Sequence, residues 1–326
     1  MIHYVIFASD QDYHKYAYSD LYSESNCEYV VQNNSFKSRI LRILYKAHMS
    51  PKTNRHFKLP LKKIWFSSML NFEHTHKNYC FIFFAGTIRF SLVKEGYIDY
   101  LKKRFPGSKF VCFYQDLVKF HDNEISIYDV KKHFDYVYSF DQRDCAEYEL
   151  IYHSLVYSKT YFPKNPIIEN DVYFVGLAKN RLTQIIRAFE ILTQKGLKCD
   201  FHIVGVRKED RKYEEIIDYC DNVSYSQNLE YISKSKAILE IMQKDGYGFT
   251  LRTCEAIMFD KMLITNNCTI ENAPFYSTKN VILFDEIESE NWEKLKKNSI
   301  FIYDYKDKLS PRLFLEEISE RIKKDV

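Results

Sequence analysis

The residues best suited to chemistry lie in one stretch, DGYGFTLRTCEAIMFDKMLITNN, at residues 245 to 267. It reads as loop, helix, tight turn and strand. Gly246-Tyr247-Gly248 permits backbone conformations that a side chain would forbid. The run from Phe249 to Phe259 has helical length, and Arg252 lies three residues before Glu255, so the two share a face. A loop that opens a helix presents unpaired N–H groups at the positive end of the helix dipole, which favours an anion. Gly248, Phe249, Thr250 and Arg252 therefore suit a nucleotide diphosphate, and Glu255 suits the hydroxyls of a ribose. A glycine pair alone also opens many ordinary surface loops. The dehydrogenase version of the motif is excluded. Leu251 stands at its third glycine, and Asn266 and Asn267 stand where an acid should end the next strand.

Such residues need elements that bring loops together. Strand-like runs at Ile2–Ala8, Tyr79–Phe84, Phe110–Tyr114 and Tyr136–Phe140 alternate with helical stretches. The segment Lys159–Asn170 carries two prolines and interrupts the pattern, which then restarts. The second set of strands is Asp171–Gly176, Cys199–Val206, Val223–Tyr225, Ala237–Met242, Met262–Thr265 and Val281–Phe284. Tyr213–Tyr219 and Leu229–Lys234 read as helices, and Pro311–Lys324 as a terminal amphipathic helix. The alternation predicts an α/β chain with parallel sheets, whose ligands sit at strand carboxyl ends. In the second half those ends carry Gly176, Gly205, Tyr225, Gln243 and the 245–250 loop, with Lys179 and Arg181 adding positive charge. In the first half they carry Arg89, Asp116 and Asp141, each equally suited to a cap or loop ion pair. Asp10 and Asp12 have the spacing of paired metal-binding acids, but a Ser/Asp cluster after a first strand reads better as a helix cap.

Composition narrows the class. At 326 residues, 46% of them hydrophobic, the chain has enough apolar surface for two domains. The eight cysteines form no C-x-x-C pair, which fits reduced thiols in a cytosol better than disulfides or a zinc site. The strand-like run begins at Ile2, so no signal peptide is expected, and the apolar run Tyr79–Ile88 is too short to span a bilayer. Net charge is only +3, but it is unevenly spread. No acid occurs from Tyr29 to Phe72, a stretch that includes Arg39, Arg42 and Lys46 among Ile40, Leu41, Ile43 and Leu44. This predicts two amphipathic helices around a basic loop at Pro51, suited to an anionic membrane, a phosphorylated acceptor or plain solvent. No nucleic-acid-binding motif accompanies it.

The second half resembles glycosyltransferases of the GT-B type, of the kind found in bacterial lipopolysaccharide and capsular polysaccharide biosynthesis. The resemblance covers roughly residues 134 to 285. It is carried by Asp171-Val-Tyr-Phe-Val-Gly176 with Lys179 and Arg181, by Phe201–Gly205 and Ser235–Ile241, and by Gly248-x-Thr250-x-Arg252-x-x-Glu255-Ala256 with Lys261–Asn266. It implies two doubly wound Rossmann-like domains facing a central cleft, with the terminal helix crossing back to the first. The expected boundaries are 1–162 for an acceptor-binding domain, 163–308 for a nucleotide-sugar-binding domain and 309–326 for the terminal helix.

The resemblance further implies a cytoplasmic enzyme, at the inner membrane face, that moves sugar from a nucleotide-sugar donor to a growing glycan or lipid-linked acceptor. It implies ribose binding by Glu255, diphosphate binding at 248–250, and leaving-group stabilisation by Lys179 and Arg181. Such enzymes neutralise the leaving group with side chains and helix dipoles, so no metal or other cofactor is expected. An inverting reaction needs a base, for which Asp116 is the candidate, with Asp10 and Asp12 behind it. Where related retaining enzymes carry the first acid of a Glu-x7-Glu motif, this chain has Tyr247. A non-catalytic assembly protein and a sugar-nucleotide epimerase of the same architecture are the alternative expectations.

Overall fold

The computed structural model describes residues 2–8, 12–31, 38–50, 54, 59–69, 78–86, 88, 90–159, 166–243, 246–297 and 299–325. The chain forms two compact units, one of residues 1–154 with 311–326 and the other of 155–310. Each is built on a six-stranded sheet, and every strand pair is parallel.

The first unit contains β1 (His3–Ala8), β2 (Cys27–Val31), β3 (Tyr79–Phe84), β4 (Lys109–Tyr114), β5 (Tyr136–Ser139) and β6 (Ile151–Tyr152), in the order β2-β1-β3-β4-β5-β6. The runs HYVIFA and YCFIFF are buried at every position, as central parallel strands covered on both faces must be. Their rings pack in the core. Phe7 stacks on Phe83 with centroids 4.3 Å apart. The terminal helix Pro311–Lys324 belongs to this unit, as the expected crossing back requires. Tyr4 donates to the Leu315 carbonyl at 2.9 Å, and Phe314 lies 5.0 Å from Phe113.

The second unit contains β7 (Asn170–Leu177), β8 (Cys199–Val204), β9 (Asp218–Cys220), β10 (Ser235–Glu240), β11 (Met262–Thr265) and β12 (Val281–Leu283). Their order is β12-β11-β10-β7-β8-β9, a doubly wound arrangement whose direction reverses between β7 and β10.

Two local expectations are corrected. Tyr213–Tyr219 is not a helix: Tyr213 has a φ of 57°, one turn follows, and the chain then extends as β9. Val223–Tyr225 is not a strand. Ser224 caps the helix Tyr225–Ser233 in a reciprocal capping box with Gln227. That S-x-x-Q signal fixes the helix start more strongly than the β-propensity of Val223 and Tyr225. In the basic stretch the helix Arg39–His48 forms, while Lys62–Trp65 is a single 3-10 turn and Pro51 lies outside the described residues.

Candidate functional site

The crevice predicted for a doubly wound sheet lies at the carboxyl ends of the strands flanking the switch point, here Leu177 of β7 and Glu240 of β10. Arg181 ties these ends together. Its Nη2 donates to the Leu177 carbonyl and its Nη1 to the Ile241 carbonyl. Gly176 lies beside it, where a Cβ would make ordinary contact with Nη2 at 3.7 Å. The Nε–H is buried and finds no acceptor among the described residues. Burial, with the nearby Arg252 charge, lowers the Arg181 pKa, and Glu240 opposes that shift. A cation fixed at two strand ends is a preorganised anion partner.

Glu240 is the least expected member. It ends the apolar run AILE, is only 2% exposed, and among the described residues its carboxylate accepts hydrogen bonds from three threonines. Thr250 and Thr253 (2.9 Å) donate to Oε1, and Thr265 donates to Oε2. These three hydroxyls join the loop before the helix Leu251–Met258, the helix itself and β11 to one carboxylate. Thr250 is the N-cap of that helix and accepts from the Arg252 N–H at 3.1 Å. The helix N-terminus is thereby aimed at the same sheet edge as Arg181.

Glu255 anchors a second network one turn deeper. Its side chain is 0% exposed. Tyr225 donates to Oε1 at 2.7 Å, Asn228 Nδ2 to Oε1 at 2.9 Å, and Arg252 Nη1 to Oε2. Arg252 also donates to Asn228 Oδ1 at 2.9 Å, and Tyr173 reaches that atom at 3.1 Å. Burial opposes the Arg252 charge, but Glu255, Tyr173 and Tyr225 together raise the guanidinium pKa. Ribose contact was expected of Glu255. Here its carboxylate is closed behind Tyr225, Asn228 and Arg252, so a sugar hydroxyl reaches it only by displacing one of them. Arg252, with 22% of its side chain exposed, and Tyr225 are the partly exposed members of this network.

The remaining expected residues scatter around this edge. Asn266 Oδ1 accepts from the Met242 N–H at 2.6 Å, and Asn267 Nδ2 donates to the Gly248 carbonyl at 3.2 Å, so the strand after the helix holds the loop. A Cβ at Gly246 would stand 3.0 Å from Met242 Cε, the end of a flexible side chain that can shift to admit it. Phe249 packs edge-on against Phe275 at 5.0 Å, and Gln243 is half-buried just past β10. Lys179 is exposed with a φ of 43°. Gly205, with a φ of 75°, turns the chain after β8. Tyr225 arrives from a helix start and not from a strand end.

The first unit distributes its candidates differently. Asp116 is exposed at the end of β4 and accepts from the Leu117 N–H at 2.9 Å. Asp12 opens the helix Asp12–Ala17 and pairs with Lys15 at 3.1 Å. Asp141 caps the helix Gln142–Tyr148 through the N–H groups of Arg143 and Asp144. Asp10 and Arg89 lie outside the described residues. Arg39, Arg42 and Lys46 are exposed on one helix. Spacing gave no hint of Asp144, whose pKa is raised to about 6 by burial, or of His14, lowered to about 4 by burial against the opposing pull of Gln115.

One group of potential metal ligands exists among the described residues. Donor atoms of His202, Asp218 and Cys220 lie within 4.8 Å of one another. Both ring nitrogens of His202 already face carboxylates, Asp218 at 2.7 Å and Asp200 at 3.0 Å. Burial works against the ring charge, yet these partners raise its pKa. When both nitrogens are protonated the ring pairs with these carboxylates, and it offers a metal a lone pair only after losing one proton.

No protein-family model and no curated protein matches the chain. Solved structures match in fold. An α-glucosyltransferase in complex with UDP and a 13-mer DNA aligns over 91% of this chain and 89% of its own, at 14% identity and a TM-score of 0.56. The Methanocaldococcus jannaschii UDP-GlcNAc 2-epimerase in complex with UDP-GlcNAc and UDP aligns over 93% and 95%, at 12% identity and a TM-score of 0.48. The Gap123 glycosylation-associated complex of Streptococcus agalactiae aligns over 84% of this chain at 12% identity and a TM-score of 0.44, and the chain spans only 59% of that protein's length. At such identities the likeness is one of fold. The chain has the α/β, two-unit Rossmann-like architecture of the GT-B type.

Proposed function

We propose that the chain is a glycosyltransferase that moves a sugar from a nucleotide-sugar donor to a growing surface glycan or lipid-linked acceptor. The observation that carries this reading is the pairing of Arg181 and Arg252 with a threonine-capped helix N-terminus at the switch point of the second sheet. Departure of a nucleotide diphosphate develops negative charge, and fixed cations and N–H dipoles stabilise it without reorganising. In this reading Arg181, Arg252 and the 248–250 backbone receive the diphosphate, with Lys179 beside them. Glu240 and Glu255 hold those groups in place from behind. No metal or cofactor is required. Asp116, an exposed carboxylate at a strand end, is the proposed base.

The test is turnover. Purified protein is supplied with UDP-, GDP-, TDP- and CMP-linked sugars, with and without a lipid-linked saccharide. The proposal expects nucleotide release that depends on the acceptor. Conversion of the donor sugar without any acceptor contradicts it, as does nucleotide binding without turnover on any acceptor.

A further inference from the structure

The helix Arg39–His48 is built against the usual rule. A surface helix buries its apolar stripe and exposes its polar face. Here Ile40, Ile43 and Leu44, with Ala47, share one stripe at i, i+3, i+4 and i+7, and that stripe faces solvent. Ile40 is 70% exposed, Ile43 58% and Leu44 52%. The helix is attached to its unit on another side, through Tyr45 and Met49, each 1% exposed. Tyr45 packs edge-on against Trp65 at 5.5 Å. The turn that carries Trp65 is tied to the end of the helix, with Trp65 Nε1 donating to His48 Nδ1 at 2.9 Å. That turn presents two more apolar side chains to solvent, Leu61 at 73% and Ile64 at 60% exposure.

Charge identifies the occupant. Arg39, Arg42 and Lys46 are exposed beside the stripe, Lys63 is exposed on the turn, and no acidic residue occurs in the sequence between Tyr29 and Phe72. Lys62 is not part of this surface, being buried and paired with Glu95 at 3.0 Å. Aliphatic side chains flanked by cations, with no acid in the same stretch, match an anionic lipid surface, where apolar groups enter the acyl boundary and cations meet headgroups. A second copy of the chain fits poorly, because a two-fold contact across the stripe would bring the same cations face to face. We propose that Ile40, Ile43, Leu44, Leu61 and Ile64, with Arg39, Arg42, Lys46 and Lys63, form a docking face that inserts into an anionic bilayer.

Vesicle co-sedimentation tests this without donor or acceptor, so its outcome is separable from that of the transfer assay. Wild-type protein should pellet with phosphatidylcholine vesicles containing phosphatidylglycerol and stay largely in solution with phosphatidylcholine alone. Salt should weaken the binding without abolishing it. I40S/I43S/L44S should lower the bound fraction about tenfold or more, and so should R39E/R42E/K46E, because apolar burial and charge act together. Both variants change exposed positions, and an unchanged melting temperature confirms that they fold. Wild-type protein that stays in solution with anionic vesicles overturns the proposal. So does an apolar triple variant that binds like wild type. A wild-type dimer by light scattering that becomes monomeric in I40S/I43S/L44S also overturns it, by making the face a contact between copies.

Discussion

The two units share a plan, six parallel strands with loops at their carboxyl ends, yet those edges are made of different material. At the edge of the second sheet stand Arg181, held by the Leu177 and Ile241 carbonyls, and Glu240, Arg252 and Glu255, linked through Thr250, Thr253, Thr265, Asn228 and Tyr225. Around β1, β3 and β4 of the first stand Tyr13, His14, Tyr18, Phe84 and Gln115. His14 is 1% exposed, lies within 5.2 Å of the rings of Tyr13, Tyr18 and Phe84, and has Gln115 as its polar neighbour. One edge fixes charges by pairing them, while the other keeps an ionisable group neutral by burying it among rings. Topology therefore does not assign chemistry to an edge. Paired charges can meet an anion, whereas this aromatic cluster offers it no charge.

The contrast can be broken at several points, and the chain supplies a reporter for each unit. Its two tryptophans divide between them, Trp65 in the first and Trp292 in the second. The largest effect belongs to Glu255→Ala. It leaves Arg252 buried against Asn228 without its carboxylate, and removing one partner of a buried pair costs about 3–5 kcal/mol. Urea unfolding followed by Trp292 in a Trp65→Phe background should show that loss. An unchanged midpoint would mean that the network is not a structural anchor.

Next comes His14. Its unfolded pKa is near 6.5 and its folded pKa is about 4, so the unfolded chain binds the extra proton between these values. Stability of the first unit should be full above about pH 6.5 and fall as pH drops towards 4, by about 3 kcal/mol. Trp65 fluorescence in a Trp292→Phe background reads it, and His14→Phe should flatten the dependence. Equal acid sensitivity in that variant would remove His14 as the cause.

Arg181→Lys keeps a charge but cannot bridge two carbonyls, so it should cost the second unit about 1–3 kcal/mol. It should also weaken nucleotide binding about tenfold or more, at about 1.4 kcal/mol per decade. Unchanged affinity would place the anion elsewhere.

The smallest effect is that of His202. Its raised pKa gives stability that is present below about pH 6.5 and lost as pH rises through the folded value. Asp218 is 55% exposed, so solvent screens the pair and the effect should stay under about 1 kcal/mol. His202→Gln should remove it. If bound Zn²⁺ raised the melting temperature in a His202-dependent way, the ion-pair reading would fail instead.

Much of this was readable from local pattern. Continuous apolar runs gave most of the central strands, because a parallel strand buried on both faces needs no alternation. The stretch 245–267 announced its loop, helix and strand, and Pro311–Lys324 its amphipathic helix. What escaped depended on partners far away in sequence. Glu255 reads as a lone acid until Tyr225 and Asn228 arrive from a helix about thirty residues earlier. Glu240 was visible as an acid inside an apolar strand, a signal in itself, but its threonines come from three separate elements. The edge strands β2, β6 and β9 were missed because CEYVV, IY and DYC are short or only half-buried, and β9 was read as the end of a helix.

The central claim is that the second sheet edge binds a nucleotide diphosphate. The most direct measurement is the shift in melting temperature with UDP, GDP, CMP or TDP, each with and without Mg²⁺, in wild-type protein and Arg181→Lys. The account predicts a rise with one nucleotide that does not depend on Mg²⁺ and shrinks in the variant. No rise with any of the four, or a rise that Arg181→Lys leaves untouched, would contradict it.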